Sequence, residues 1–285
     1  MIIPYAICDN TRIRRLFKPY RGKQRLRRLR AAVDLVILRP MKPQTINALR
    51  DLNRSFYNSF ADAFDASRAR TEPGLIRILP EIAPGSHVLD LGCGQGRLAA
   101  LLPQGCTYIG VDNSKAMLAL ARKNVERQSL DLETNFTALD LTDSSWTAEV
   151  PEPFDWIVMR AVLHHIPAYA HRCRLLRQTA TLLKADGRIL VANWQFLEIQ
   201  RLQRRVLPWS EIGLKPTDIE PGDYLLDWKR DGYGRRYVHL IEESETQALA
   251  READLDVRDM FRADGHTNNL TLYAILSSVI KEAED

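Results

Sequence analysis

No run of eighteen apolar residues occurs in the 285-residue chain, which excludes a membrane-spanning helix on hydropathy. Cysteine is scarce. The four present, Cys8, Cys93, Cys106 and Cys173, lie too far apart for the C-x₂-C pairs of a zinc site. That usage fits a reduced, cytoplasmic setting and no metal centre. Internal repeats and low-complexity tracts are missing as well, which argues against a solenoid. What remains is ordinary for a folded domain, with 45% apolar and 27% charged residues. The length suits one α/β domain with additions.

Acidic residues are nearly absent from the first forty positions, which carry eleven Lys/Arg against two Asp and contain no Ser. Residues 41–285 hold 29 basic and 34 acidic side chains, a net of −5. The basic pI therefore comes from one short extension, residues 1–40, expected outside the ordered fold. Three readings of it stay open: a phosphate-contacting arm, a targeting segment, or a stretch included by start-codon choice ahead of Met41.

Past that point the apolar pattern is informative. Ile46, Leu49, Phe56, Phe60 and Phe64 recur at three- and four-residue steps, which predicts an amphipathic helix over 46–64. A shorter helix is expected over 73–82; together these form an N-terminal helical cap, 41–84. Apolar runs at 86–91, 106–111, 133–138, 154–159 and 188–193 read as buried parallel strands. Helical stretches near 96–102, 114–127 and 168–184 alternate with them, which implies right-handed crossovers and a doubly wound sheet. Turn chemistry fills 195–235, read as an insertion after the fifth strand. A helix near 243–254 and strands near 255–262 and 269–278 complete a seven-stranded, mainly parallel sheet over 85–285.

The stretch His87-Val88-Leu89-Asp90-Leu91-Gly92-Cys93-Gly94-Gln95-Gly96 is a strand followed by a tight glycine turn. Glycine permits positive φ, and its missing Cβ lets a ligand press on the backbone. The spacing is G-x-G-x-G rather than G-x-G-x-x-G, and Asp90 stands two positions before the first glycine. A pyrophosphate would be repelled by that carboxylate; a sulfonium would not. Asp112, with Asn113 beside it, closes the second strand, where a carboxylate can accept ribose hydroxyls. Asp140, next to Leu141, follows the third strand and can accept an adenine amino group or simply cap a turn.

This order of D-x-G-x-G-x-G, Asp and Asp resembles the class I S-adenosylmethionine (SAM)-dependent methyltransferases over residues 85–194. It implies the Rossmann-like methyltransferase fold and SAM as cofactor, held by Asp90, Gly92, Cys93, Gly94, Gly96, Asp112, Asn113, Asp140, Leu141 and Arg160. Further segments are similar to the tRNA wobble-uridine carboxymethyl methyltransferase family. They are 56–68 (FYNSFADAFDASR), Ala161-Val162-Leu163-His164-His165, Leu207-Pro208-Trp209 and Arg236-Tyr237-Val238-His239-Leu240. Where that family continues with G-E-L, this chain reads Glu243-Ser244-Glu245, so the likeness is that of a divergent relative. It implies tRNA and a small activator protein as partners. Two other functions stay open: methylation of a small carboxylate or phenol, and a non-catalytic SAM-binding partner or sensor. His165 is a candidate base or a histidine that bonds a loop carbonyl and shapes the pocket, His239 is a second candidate base, and Arg235 or Arg236 is the candidate carboxylate clamp, with Tyr57 and Phe60 in a lid.

Overall fold

The computed structural model describes residues 40–66, 72–128, 130, 132–150 and 153–279. The basic segment 1–39 and the Ser67-Arg68 pair lie outside the described residues. Helix α1, Pro43–Ser59, starts with proline near its first turn, where a missing N–H costs nothing. It buries Ile46, Leu49, Asn53 and Phe56 on one face. The helix expected over 46–64 is in fact two. Phe60 leaves the helical region at φ −118° and ψ 23°, and α2 (Ala61–Ala66) follows. The Phe60 ring occupies the space a Cβ at Gly234 would need, 2.6 Å away, so a contact outside the helix decides the break. Helix α3, Pro73–Ile78, runs into a 3₁₀ turn at Leu79–Glu81.

Seven strands form the main sheet in the order β3-β2-β1-β4-β5-β10-β9. Strands β1 (His87–Leu91), β2 (Thr107–Asp112), β3 (Glu133–Ala138), β4 (Phe154–Arg160) and β5 (Leu183–Trp194) run parallel. β9 (Leu255–Ala263) and β10 (Thr271–Ser278) close the edge antiparallel. The chain winds outward from β1 through β2 to β3, then returns to β4 on the other side. That reversal opens a crevice at the carboxyl ends of β1 and β4, where such sheets bind ligands.

Alternate residues of each strand enter opposite cores. Leu89, Leu91, Ile157, Met159, Ile189 and Val191 pack on one face with α5 (Tyr169–Ala180) and α7 (Glu243–Glu252). Val88, Trp156, Val158 and Leu190 pack on the other with α3 and α4 (Lys115–Gln128). The helix expected over 96–102 is only a 3₁₀ turn at Ala99–Leu101. β5 begins at Leu183, five residues before the expected start, because Leu183 pairs with Phe154 across a register shift.

The turn-rich segment after β5 contains the short α6 (Gln200–Gln203) and builds a second sheet, β6 (Val206–Leu207), β7 (Asp223–Trp228) and β8 (Gly234–His239), in that order. Leu225 and Tyr237 pack against Ile46 and Leu49 of α1; Leu226 and Val238 pack against Phe196 and Leu202. A buried charge network locks this sheet to the main domain. Arg172 of α5, 1% exposed, binds Glu220 at 3.0 Å and Glu245 at 3.0 Å. His239 lies between Asp223 (2.6 Å) and Glu245 (2.9 Å). Glu220 also accepts from Tyr169 N–H, capping α5, whose N-cap residue Ala168 has no side chain to do so. No helix among the described residues is long and apolar enough to cross a membrane.

Burial by itself lowers the His239 pKa, but its bonds to Asp223 and Glu245 outweigh that and raise it above 6.5. A raised folded-state pKa means stabilisation that is complete below pH 6.5 and lost as pH rises through the folded value. The melting temperature of the parent minus that of His239→Gln should therefore be larger at pH 6 than at pH 9. Calorimetry should read a change of about 2 °C or more, given roughly 2–4 °C per kcal/mol for a chain of this size.

Candidate active site

β1 ends in a turn whose glycines all take positive φ: 69° at Gly92, 55° at Gly94 and 73° at Gly96. Each matters differently. A Cβ on Gly92 would stand 2.4 Å from the Val162 side chain, so only glycine lets the loop after β4 pack there. A Cβ on Gly94 meets nothing within 4 Å and would project into open space. The turn is tied to β2, with Gly92 N and Cys93 N donating to Val111 O at 2.7 and 3.0 Å and Gly94 N donating to Asp112 at 2.9 Å. Above it opens a cleft walled by the ends of β1 to β4 and roofed by α1.

Most of the residues that the sequence singled out for the cofactor meet at this cleft. Gly92, Cys93, Gly94, Asp112, Asn113, Asp140, Leu141 and Arg160 line it. Asp112 accepts from Ser114 N–H at 2.8 Å and Gly94 N–H at 2.9 Å, which leaves lone pairs for two hydroxyls. Burial raises its pKa against those bonds. Asp140 accepts from Thr142 N–H at 2.9 Å and is held by Arg50 at 2.7 Å. Burial works against ionisation here, yet the Thr142 and Arg50 contacts prevail and lower its pKa. Burial pushes the Cys93 thiol well above its usual range, so it is a filler and not a nucleophile.

Two expected contacts sit elsewhere. Asp90 lies beneath the cleft floor, 1% exposed, accepting from Tyr108 O–H at 2.8 Å. Its burial raises the pKa to about 6, with the Arg160 cation opposing. Gly96 faces Ala121 and Phe136 rather than the cleft.

The expected catalytic residues divide more sharply. His165 lines the cleft. His239 does not, being enclosed by Asp223 and Glu245. Arg236 does not either. It is 2% exposed, with its guanidinium 4.8 Å from the Trp194 ring centre, 5.3 Å from Phe56 and 5.6 Å from Trp228. A carboxylate clamp at Arg236 is thus replaced by a cation–π box that fastens α1 to β8. Its neighbour Arg235 is turned outward and binds Glu211.

Of what α1 contributes, the sequence singled out only Tyr57, as part of a lid. Arg50, Asn53, Arg54 and Tyr57 fall at i, i+3, i+4 and i+7, one helix face, and all four line the cleft. Tyr57 Oη meets His165 Nε2 at 2.7 Å, while His165 Nδ1 lies 2.9 Å from Tyr237 O. A carbonyl only accepts, so Nδ1–H donates to it, and in the neutral imidazole Nε2 then accepts from the Tyr57 hydroxyl. Ala161, at φ 58°, makes the turn that swings His165 beneath α1. Polar spacing along 46–64 was the available signal, but apolar periodicity dominated the reading.

The residues fit SAM. Arg160 Nε and Gln95 Nε2 are buried donors with no hydrogen-bond partner among the described residues, and both side chains line the cleft. They suit a carboxylate at that end, and Glu72, 2.6 Å from Arg160, suits an ammonium. Asp112 and Asp140 face where ribose and adenine would lie. Asp112→Ala should weaken SAM binding at least tenfold, about 1.4 kcal/mol, by calorimetric titration; binding within twofold of the parent would show that the carboxylate does not hold the ribose.

Comparison with known proteins gives the same answer. The profile of a family described as a methyltransferase domain matches residues 63–259. The ubiquinone biosynthesis O-methyltransferase of Stutzerimonas stutzeri (strain A1501) is 29% identical over 177 residues, 62% of this chain and 67% of that protein. The tRNA (carboxymethyluridine(34)-5-O)-methyltransferase ALKBH8 of Mus musculus is 28% identical over 138 residues, 48% of this chain and only 19% of that protein. Among solved structures, an S-adenosylmethionine-dependent methyltransferase from Clostridium acetobutylicum ATCC 824 shares the fold. The TM-score is 0.57 at 15% identity, over 78% of this chain and 99% of that one. With its methyltransferase-domain match, glycine turn and seven-stranded sheet, the chain belongs to the class I SAM-dependent methyltransferases, an enzyme family.

Proposed function

We propose that this methyltransferase acts on the oxygen of a small molecule bearing an ionisable hydroxyl, a phenol or enol. The observation that carries the reading is the Tyr57–His165 contact at 2.7 Å in the cleft, where a neutral imidazole whose Nδ1–H is held by the Tyr237 carbonyl presents Nε2 as the acceptor. A carboxylate acceptor is already ionised and needs no base; a hydroxyl does. SAM, when bound, supplies an electrophilic methyl group on its sulfonium. The acceptor hydroxyl passes its proton to Tyr57 Oη as the Tyr57 proton moves to His165 Nε2. The oxygen pair thus exposed takes the methyl group. Tyr237 O, bonded to Nδ1–H, stabilises the resulting imidazolium. Arg54 stands one helical turn before Tyr57 on the same face, which suits an acceptor with an anionic substituent roughly 5–6 Å from its hydroxyl.

One observation favours a second reading, a carboxymethyl-type modified uridine of tRNA. In the turn between β7 and β8, Lys229 and Arg230 are exposed near Tyr233, itself 54% exposed. Cations around an exposed aromatic suit single-stranded nucleic acid, although the net charge of −5 over residues 41–285 does not.

Both readings meet one experiment: release of S-adenosylhomocysteine with hydroxybenzoates and catechols, with polycarboxylates, and with bulk tRNA. A hydroxyl acceptor should be turned over, and Tyr57→Phe and His165→Ala should each lower kcat by about 10²–10⁴. SAM affinity should stay within threefold. Turnover confined to carboxylates or tRNA, and indifferent to His165→Ala, overturns the proposal.

A further inference from the structure

We propose that Asn53 is the positioning residue that makes docking of α1 and assembly of the Tyr57–His165 pair one event. β8 is the outer strand of the small sheet, and its open edge at Tyr237 faces α1. There the Asn53 carboxamide takes the place of a further strand. Its Oδ1 accepts from Tyr237 N–H at 2.8 Å and its Nδ2 donates to Tyr237 O at 3.1 Å. The N–H of Tyr237 can only donate, which settles the end of the amide that holds the oxygen. Asparagine is a poor helix residue because it bonds its own local backbone. This one, 7% exposed, bonds a strand 184 residues away instead.

The same Tyr237 carbonyl receives Nδ1–H of His165, so its two lone pairs are filled by Asn53 and His165 together. Asn53 Nδ2 and His165 Nδ1 lie 3.4 Å apart, too close for the imidazole to turn without losing one of these bonds. One turn further along α1, Tyr57 at i+4 meets the opposite ring nitrogen. A single amide therefore fixes the helix, the tautomer and the hydroxyl over the base. This rests on the proposed proton path only in giving the tautomer a use; the geometry stands whatever the acceptor.

Long-range proton–nitrogen NMR of histidine-labelled protein, with His165→Gln to assign the signal, tests it without acceptor or cofactor. The parent should show protonated Nδ1 and bare Nε2. Asn53→Leu, similar in size but without hydrogen bonds, should show both tautomers, and amide exchange over residues 43–59 should quicken at least tenfold while β1 and β4 keep their protection. Asn53→Ser serves if the leucine variant does not fold. Tyr57→Phe should leave both the Nδ1–H form and α1 protection unchanged. A parent with Nε2 protonated overturns the inference. So does faster exchange in the Asn53 variants with the tautomer unmoved, which leaves Asn53 a purely structural residue. Failure to find a hydroxyl acceptor, with these spectra as expected, counts against the proposed function alone.

Discussion

The backbone of Tyr237 is fully buried on an outer strand, where no neighbouring strand supplies hydrogen bonds. Its N–H and C=O must nevertheless be satisfied, since a buried polar group left alone costs about 1–3 kcal/mol. Asn53 of α1 and His165 of the loop after β4 are the groups that meet it. The Tyr237 hydroxyl extends the tie by donating to Asp223 at 2.7 Å, and Asp223 also holds His239. Helical roof, catalytic loop and buried charge network thus converge on one residue of the inserted sheet. The insertion is part of the active-site architecture, not a decoration on it.

Two arrangements of charge follow, on either side of this node. On the far side, the buried Arg172 neutralises the partly exposed Glu220 and Glu245, and the guanidinium also donates to Ile166 O. Such a network is a weak source of net stability but a strong constraint on geometry, because removing one member strands a buried charge. On the cofactor side, Arg160 stands between Glu72 on the cleft wall and Asp90 beneath it. Burial penalises this cation, yet the two carboxylates hold its pKa above the usual value. Asp90 therefore acts on the cleft electrostatically, through Arg160. Arg50 reaches from α1 to Asp140, so the roof is fastened at the adenine end as well as at the methyl end.

Much of this was legible in the chain. Short apolar runs located the central strands of the main sheet, because a strand buried on both faces must be apolar at nearly every position. The spacing of Gly92, Gly94 and Gly96 disclosed a turn that backbone sterics alone demand. Asp112 and Asp140 could be placed at the cleft because the first closes a strand and the second lies two residues beyond one, so the position of each is given by local order. The break at Phe60 and the small sheet were not legible. Neither has a local cause: the first depends on glycines more than 170 residues away, and the second is a set of short strands hidden among turn residues. Arg236 and His239 misled for a related reason. Arginine and histidine beside a tyrosine look catalytic in a list of residues, whereas burial among Trp194, Phe56 and Trp228, or between Asp223 and Glu245, removes them from the cleft.

By itself, then, the sequence determined the sheet, the glycine turn and the methyl donor, since each follows from periodicity or from a spacing of a few residues. Only the tertiary structure decided which side chains line the cleft. That choice turns on contacts between segments far apart in the chain, Asn53 with Tyr237 and Tyr57 with His165, whose hydrogen bonds have no counterpart in local pattern. A tautomer is the extreme case: the proton on His165 Nδ1 is set by a carbonyl 72 residues away, and nothing in the residues around His165 announces it.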